Sequence, residues 1–150
     1  VLYEYPCNLF VATFIGSPQM NVFDATVLDE NGSTYLKFGE TRIKLPAAKG
    51  RNPEVLAYAG KEVIVGVRPE SIHDEQVFID QFPEAIIEAD VDVVEQLGSV
   101  TYLYVQCEGN ALTASVQPRT SVKSGDRIKL AIDTNRIHLF DKDTEKVIAG

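Results

Sequence analysis

The sequence predicts an all-β fold, a barrel or sandwich of about ten short strands, and three observations carry that prediction. From Val22 onward, apolar and polar residues alternate with the period of a strand. Turn signals recur at near-regular spacing, with Asn31-Gly32, Glu108-Gly109-Asn110 and Lys123-Ser124-Gly125-Asp126 the clearest. Helical spacing appears only once, near the N-terminus, where Leu9, Phe10, Thr13 and Phe14 fall on one face between Pro6 and the Gly16–Pro18 stop.

The elements follow in order. Val22–Glu30 and Ser33–Phe38 read as a hairpin about Asn31-Gly32, and Thr41–Leu45 as a short strand stopped by Pro46. Residues 47–53 form a loop by composition. Val63, Ile64, Val65 and Val67 mark a buried strand, because β-branched side chains pack well on a pleated surface. Pro69 then ends the ladder and holds Arg68 extended. Val77–Pro83 is a connector. Ile86–Leu97 is the longest strand, with Ala89, Val91 and Val93 on one face and the acids on the other. Ser99–Cys107, Ala111–Val116, Arg127–Ile132 and Arg136–Phe140 complete the set. The loop at 74–83 is the expected seam between two β modules.

The 150 residues suffice for a real core, and 45% hydrophobic with 24% charged residues is a globular balance. A net charge of -8 argues against nucleic acid, since phosphate contacts need a basic face. Two cysteines, Cys7 and Cys107, make no secreted disulfide framework and no zinc spacing, which points to a reducing cytosol. No apolar run reaches the length of a membrane span.

Enzymatic motifs are missing. The sequence contains no glycine-rich phosphate loop of the GxxxxGK type, no GxGxxG and no GxSxG. His73 reads as a turn residue and His138 as an exposed pleat residue. Glu88, Asp90 and Asp92 share one solvated strand face at i, i+2 spacing, short of a metal site. Three stretches exceed generic β sequence: Gly66-Val67-Arg68-Pro69-Glu70, a charged proline corner; Glu95-Gln96-Leu97-Gly98, a polar strand end; and Arg136–Asp141, a strand with a charged tip.

In this order, these motifs resemble a known family. FVATFIGSPQMN is similar to the exit from the nucleotide-binding domain of sugar-importer ABC ATPases, VGVRPESI to their proline corner, VDVVEQLGSVTYLYV to their central hairpin, and IHLFDKDT to their closing strand. The chain thus resembles the C-terminal regulatory, transport-associated OB domain of a maltose or multiple-sugar importer ATP-binding protein. The resemblance implies tandem OB-like β barrels behind a short N-terminal helix, with residues 1–18 ending the nucleotide-binding domain and 19–150 forming the regulatory unit. It implies a non-enzymatic piece whose parent hydrolyses ATP with Mg, and no cofactor or metal within the piece itself.

By the same resemblance, Gly16, Ser17 and Pro18 form the interdomain turn, while Gly66, Arg68, Glu70, Glu95, Gln96 and Gly98 shape a dimer or regulator surface. The implied partners are a second copy, the ATPase domain of the same chain, the transporter's membrane subunits and a sugar-phosphotransferase regulator. The implied place is the cytoplasm, peripheral to the inner face of the membrane. Leu9 replaces the Arg that enteric relatives carry there, which separates this chain from their mode of inhibition. The alternative is a small-ligand module for an oxyanion such as molybdate, as in related OB-type domains.

Overall fold

The computed structural model describes residues 19–118 and 120–149, so the expected N-terminal helix lies outside the described residues. Eleven strands run β1 (Asn21–Glu30), β2 (Ser33–Phe38), β3 (Thr41–Lys44), β4 (Glu62–Val67), β5 (Ile72–His73), β6 (Ile86–Gln96), β7 (Thr101–Cys107), β8 (Asn110–Val116), β9 (Arg127–Ile132), β10 (His138–Asp141) and β11 (Val147–Ala149). They build two antiparallel sheets, β11-β10-β4-β1-β2-β3 and β5-β9-β6-β7-β8. In the second, β5 pairs with β9 and also packs on β8, so five strands nearly close on themselves in the manner of an OB barrel.

Alternation builds the core. Along β1, Phe23, Ala25 and Val27 point inward and Val22 and Asp24 outward. One continuous apolar cluster joins the inner faces of both sheets, from Val27, Leu36 and Ile43 to Ile87, Leu103 and Leu130. Truncating one such buried Leu or Ile to Ala costs about 2–5 kcal/mol.

The chain crosses between sheets twice, and the crossings lie side by side. It leaves β4 through a 3₁₀ turn at Pro69–Ser71, with Arg68 extended at φ -73°, ψ 147° ahead of it. It returns through a second 3₁₀ turn at Thr134–Arg136. The Asp133 amide donates to the Ser71 carbonyl at 2.9 Å, stapling one crossing to the other. The passage therefore falls at 68–71, upstream of the 74–83 loop, and β10 and β11 bring the C-terminal residues back into the first sheet.

Four local expectations change. The loop expected at 47–53 contains α1 (Ala47–Gly50) and the start of α2 (Pro53–Leu56), and the connector expected at Val77–Pro83 overlaps α3 (Gln76–Gln81). The Asn52 side chain accepts from the Glu54 amide and Pro53 occupies the first turn, so α2 carries ordinary start signals on an element too short for periodicity to reveal. The last strand begins at His138 because Thr134–Arg136 is a turn. Strand β11, within the polar C-terminal stretch, has no alternating pattern long enough to read.

The fourth change concerns β6. Val91 pairs with Val105 and Val93 with Tyr104, leaving Asp92 as an extra residue. This bulge flips the faces beyond it. Val93, expected inside with Ala89 and Val91, is 51% exposed, and Val94 turns inward instead.

Candidate functional site

Gly16, Ser17 and Pro18 lie outside the described residues. The other six predicted surface residues divide into two groups. Gly66 and Arg68 are buried, whereas Glu70, Glu95, Gln96 and Gly98 reach solvent.

Gly66 sits in β4 opposite His138 of β10. A Cβ there would meet Met20 Cε at 2.4 Å and Phe140 Cε2 at 3.2 Å, so the missing side chain is what lets Met20 and Phe140 close over the strand. Arg68, 6% exposed, shares this interior with His138 and Lys49. Lys49 donates its ammonium to the Asn135 carbonyl at 3.2 Å and to that of Ile137, tying α1 to the return crossing. Burial lowers the Lys49 pKa against the pull of Asp133.

His138 is 5% exposed and not the surface pleat residue expected. Its ring lies 6.5 Å from that of Phe140 and beside Gly66, a cross-strand neighbour without a side chain, with Lys49 and Arg68 close enough to act on its charge. Burial, then the charges of Lys49 and Arg68, push its pKa down to about 4, and its Nδ1 has no hydrogen-bond partner among the described residues. The imidazole is neutral at physiological pH. The corner is thus a buried structural joint, and only its tip, Glu70, faces outward.

The structure brings Glu70 to the β6–β7 turn. A cleft of about 260 Å³ opens between them, lined by Glu70, His73, Asp74, Phe78, Ser99 and Gln117. The His73 ring stacks on Phe78 with centroids 3.8 Å apart. Burial lowers the His73 pKa, partly offset by Asp133, Glu75 and Asp74. Thr120 Oγ1 donates to Asp74 at 2.5 Å.

Beyond the bulge, Glu95 accepts from the Tyr104 hydroxyl at 2.8 Å and Gln96 pairs with Thr101. Gly98, at φ +81°, makes the turn that only a glycine adopts without strain. Strand β9 pairs with β6 only from Ile86 to Asp90. Past Val91, the outer edge of β6 meets no other strand among the described residues, and Val93 and Leu97, each 51% exposed, stand beside it. The sequence drew attention to the polar residues here but missed the apolar pair, because the bulge that exposes Val93 leaves no signal in the alternation. Among the described residues no group of three or more His, Cys, Asp or Glu side chains could hold a metal ion, and no helix is long and apolar enough to cross a membrane.

Two antiparallel sheets, crossed twice around a buried glycine–arginine corner, define an OB-like all-β module. Comparison with known proteins gives the family. Residues 16–72 match the MalK OB fold domain and residues 65–140 match the TOBE domain. The chain belongs to the TOBE domain family.

It is 38% identical over 144 residues to the oligosaccharides import ATP-binding protein MsmX of Bacillus subtilis, covering 96% of this chain and 38% of that protein. It is 37% identical over 148 residues to the trehalose/maltose import ATP-binding protein MalK of Thermococcus litoralis, covering 98% and 39% respectively. The chain therefore spans under two fifths of the length of these relatives. In fold it is similar to the cytoplasmic molybdate-binding protein ModG, with a TM-score of 0.59 at 17% identity over 79% of this chain and 94% of that one.

Proposed function

We propose that this chain is the regulatory and dimerisation part of the ATP-binding subunit of a sugar importer for maltose, maltodextrins or several sugars. Family membership across nearly the whole chain is the observation that carries the reading. On it, residues 1–18 end the ATPase domain and residues 19–150 are the regulatory unit. ATP and Mg chemistry belongs to the ATPase domain, and the subunit sits against the transporter's membrane subunits at the inner face of the membrane.

The exposed β6–β7 hairpin supports a second copy as the first partner. An open strand edge flanked by Val93 and Leu97 can pair antiparallel with its own twin across a two-fold axis, satisfying backbone groups while covering apolar surface. A permanent contact of this kind keeps two ATPase halves at high effective concentration, so their closure on ATP is an intramolecular step. The neighbouring cleft, with Glu70, Asp74 and Glu75 around the His73–Phe78 stack, suits a regulator that presents basic and apolar groups.

The experiment is sedimentation of the 150-residue chain across a range of concentrations. A dimer mass at the upper end is the expected result, and a monomer throughout contradicts the reading.

A further inference from the structure

A second concavity, of about 400 Å³, lies between the first sheet and the segment joining α3 to β6, and shares no lining residue with the cleft at Glu70. Its volume is within the range of small-molecule sites. One wall is Thr34, Lys44 and Arg51 from the first sheet and the segment after α1; the other is Gln81, Phe82 and Glu84, the segment that follows α3. Backbone bonds hold the walls in place: the Lys44 amide donates to the Glu84 carbonyl at 3.0 Å, and the Leu45 amide to the Thr34 carbonyl at 2.8 Å.

The electrostatics of the lining exclude a simple anion site. Each cation already faces a carboxylate, Lys44 Nζ to Glu84 Oε2 at 3.2 Å and Arg51 to Asp29 Oδ1 at 2.6 Å. Paired ions offer donors and acceptors together with no net charge. The Thr34 hydroxyl donates to the Gly50 carbonyl at 2.7 Å and accepts from Arg51 at 3.3 Å, which fixes the guanidinium at the wall, and the exposed Gln81 amide offers both a donor and an acceptor. Phe82, half-buried on the core, contributes an apolar surface beside them. A ligand matching this set has many hydroxyls, a C–H face to lie on an aromatic ring, and no charge.

We infer that this pocket binds a neutral polyhydroxylated ligand, a mono- or disaccharide, with Phe82 against the sugar ring and Gln81 and the two ion pairs on its hydroxyls. A sugar there touches β2 and β3 of the first sheet and the segment between α3 and β6, and so bridges them. The site is independent of the dimer surface proposed above.

The test is titration of the 150-residue chain with glucose, maltose and trehalose, and separately with phosphate and molybdate, by calorimetry and amide chemical shifts. Saturable binding of at least one sugar is expected, with shifts centred on residues 33–34, 44–51 and 81–85. Gln81→Ala and Phe82→Leu should each weaken it by on the order of tenfold while retaining the folded spectrum. Absence of saturation with all three sugars, shifts elsewhere, or saturation by phosphate or molybdate instead overturns the inference. Sedimentation of the same samples separates the two proposals: a dimer that ignores sugar overturns only the pocket, and a sugar-binding monomer overturns only the dimer.

Discussion

At the scale of single residues, the buried His138 makes a sharp prediction about acid. Its pKa is about 4 in the folded chain against an ordinary 6.5, so between those values the unfolded chain is the better proton binder. Stability therefore falls as pH drops through that window and levels off below it, a loss of about 3 kcal/mol from this group. Replacing it by Leu should flatten that part of the pH profile of denaturant midpoints, and an unchanged slope would show that the imidazole titrates normally. Asn21 makes a second prediction. Its side chain donates to the Thr113 carbonyl and accepts from the Thr113 amide, both at 2.8 Å, and so pairs with the edge of β8 as a strand residue would. Loss of both bonds in Asn21→Ala should cost about 1–3 kcal/mol in chemical denaturation. Gly66→Ala, forced against Met20 and Phe140, should cost a similar amount. None of these roles was legible in the sequence, because burial of a polar side chain depends on which distant strand comes to lie beside it. His138 reads as an exposed pleat residue until Gly66, Phe140, Arg68 and Lys49 are seen around it.

Among the elements, β6 matters most to the proposed surface. The bulge at Asp92 turns Val93 outward, and deleting Asp92 should restore simple alternation with Val91 and Val94 still inward and Val93 still outward. The pairs from Val93–Tyr104 to Gln96–Thr101 would be kept, so thermal denaturation should show a change near the roughly 0.5 kcal/mol typical of surface changes. Strand positions were otherwise legible: the Asn31-Gly32 hairpin, the β-branched run of β4 and the proline stop at its end lie where turn chemistry and alternation put them. What escaped were the short helices and β11. Elements of three to six residues are held by tertiary contacts, as Lys49 of α1 is held by the return crossing, and carry no period of their own.

For the molecule as a whole, fold and family were legible through four motifs in order, and the chain belongs to the TOBE domain family. Sheet topology was not. Strands β10 and β11 rejoin the first sheet after the second is complete, an order fixed by long-range pairing that loop composition does not carry. Within the candidate site, of the residues the sequence singled out, Gly66 and Arg68 turn inward while Glu70, Glu95, Gln96 and Gly98 reach solvent, and Val93 and Leu97 supply the exposed apolar surface. Because both are solvent-exposed, Val93→Lys with Leu97→Lys should leave stability nearly unchanged and place like charges on a self-pairing edge. The decisive measurement is sedimentation equilibrium of this double variant beside the unchanged chain, with folding checked by circular dichroism. The proposal predicts a dimer for the unchanged chain and a folded monomer for the variant; a variant that dimerises as well as the unchanged chain would contradict it.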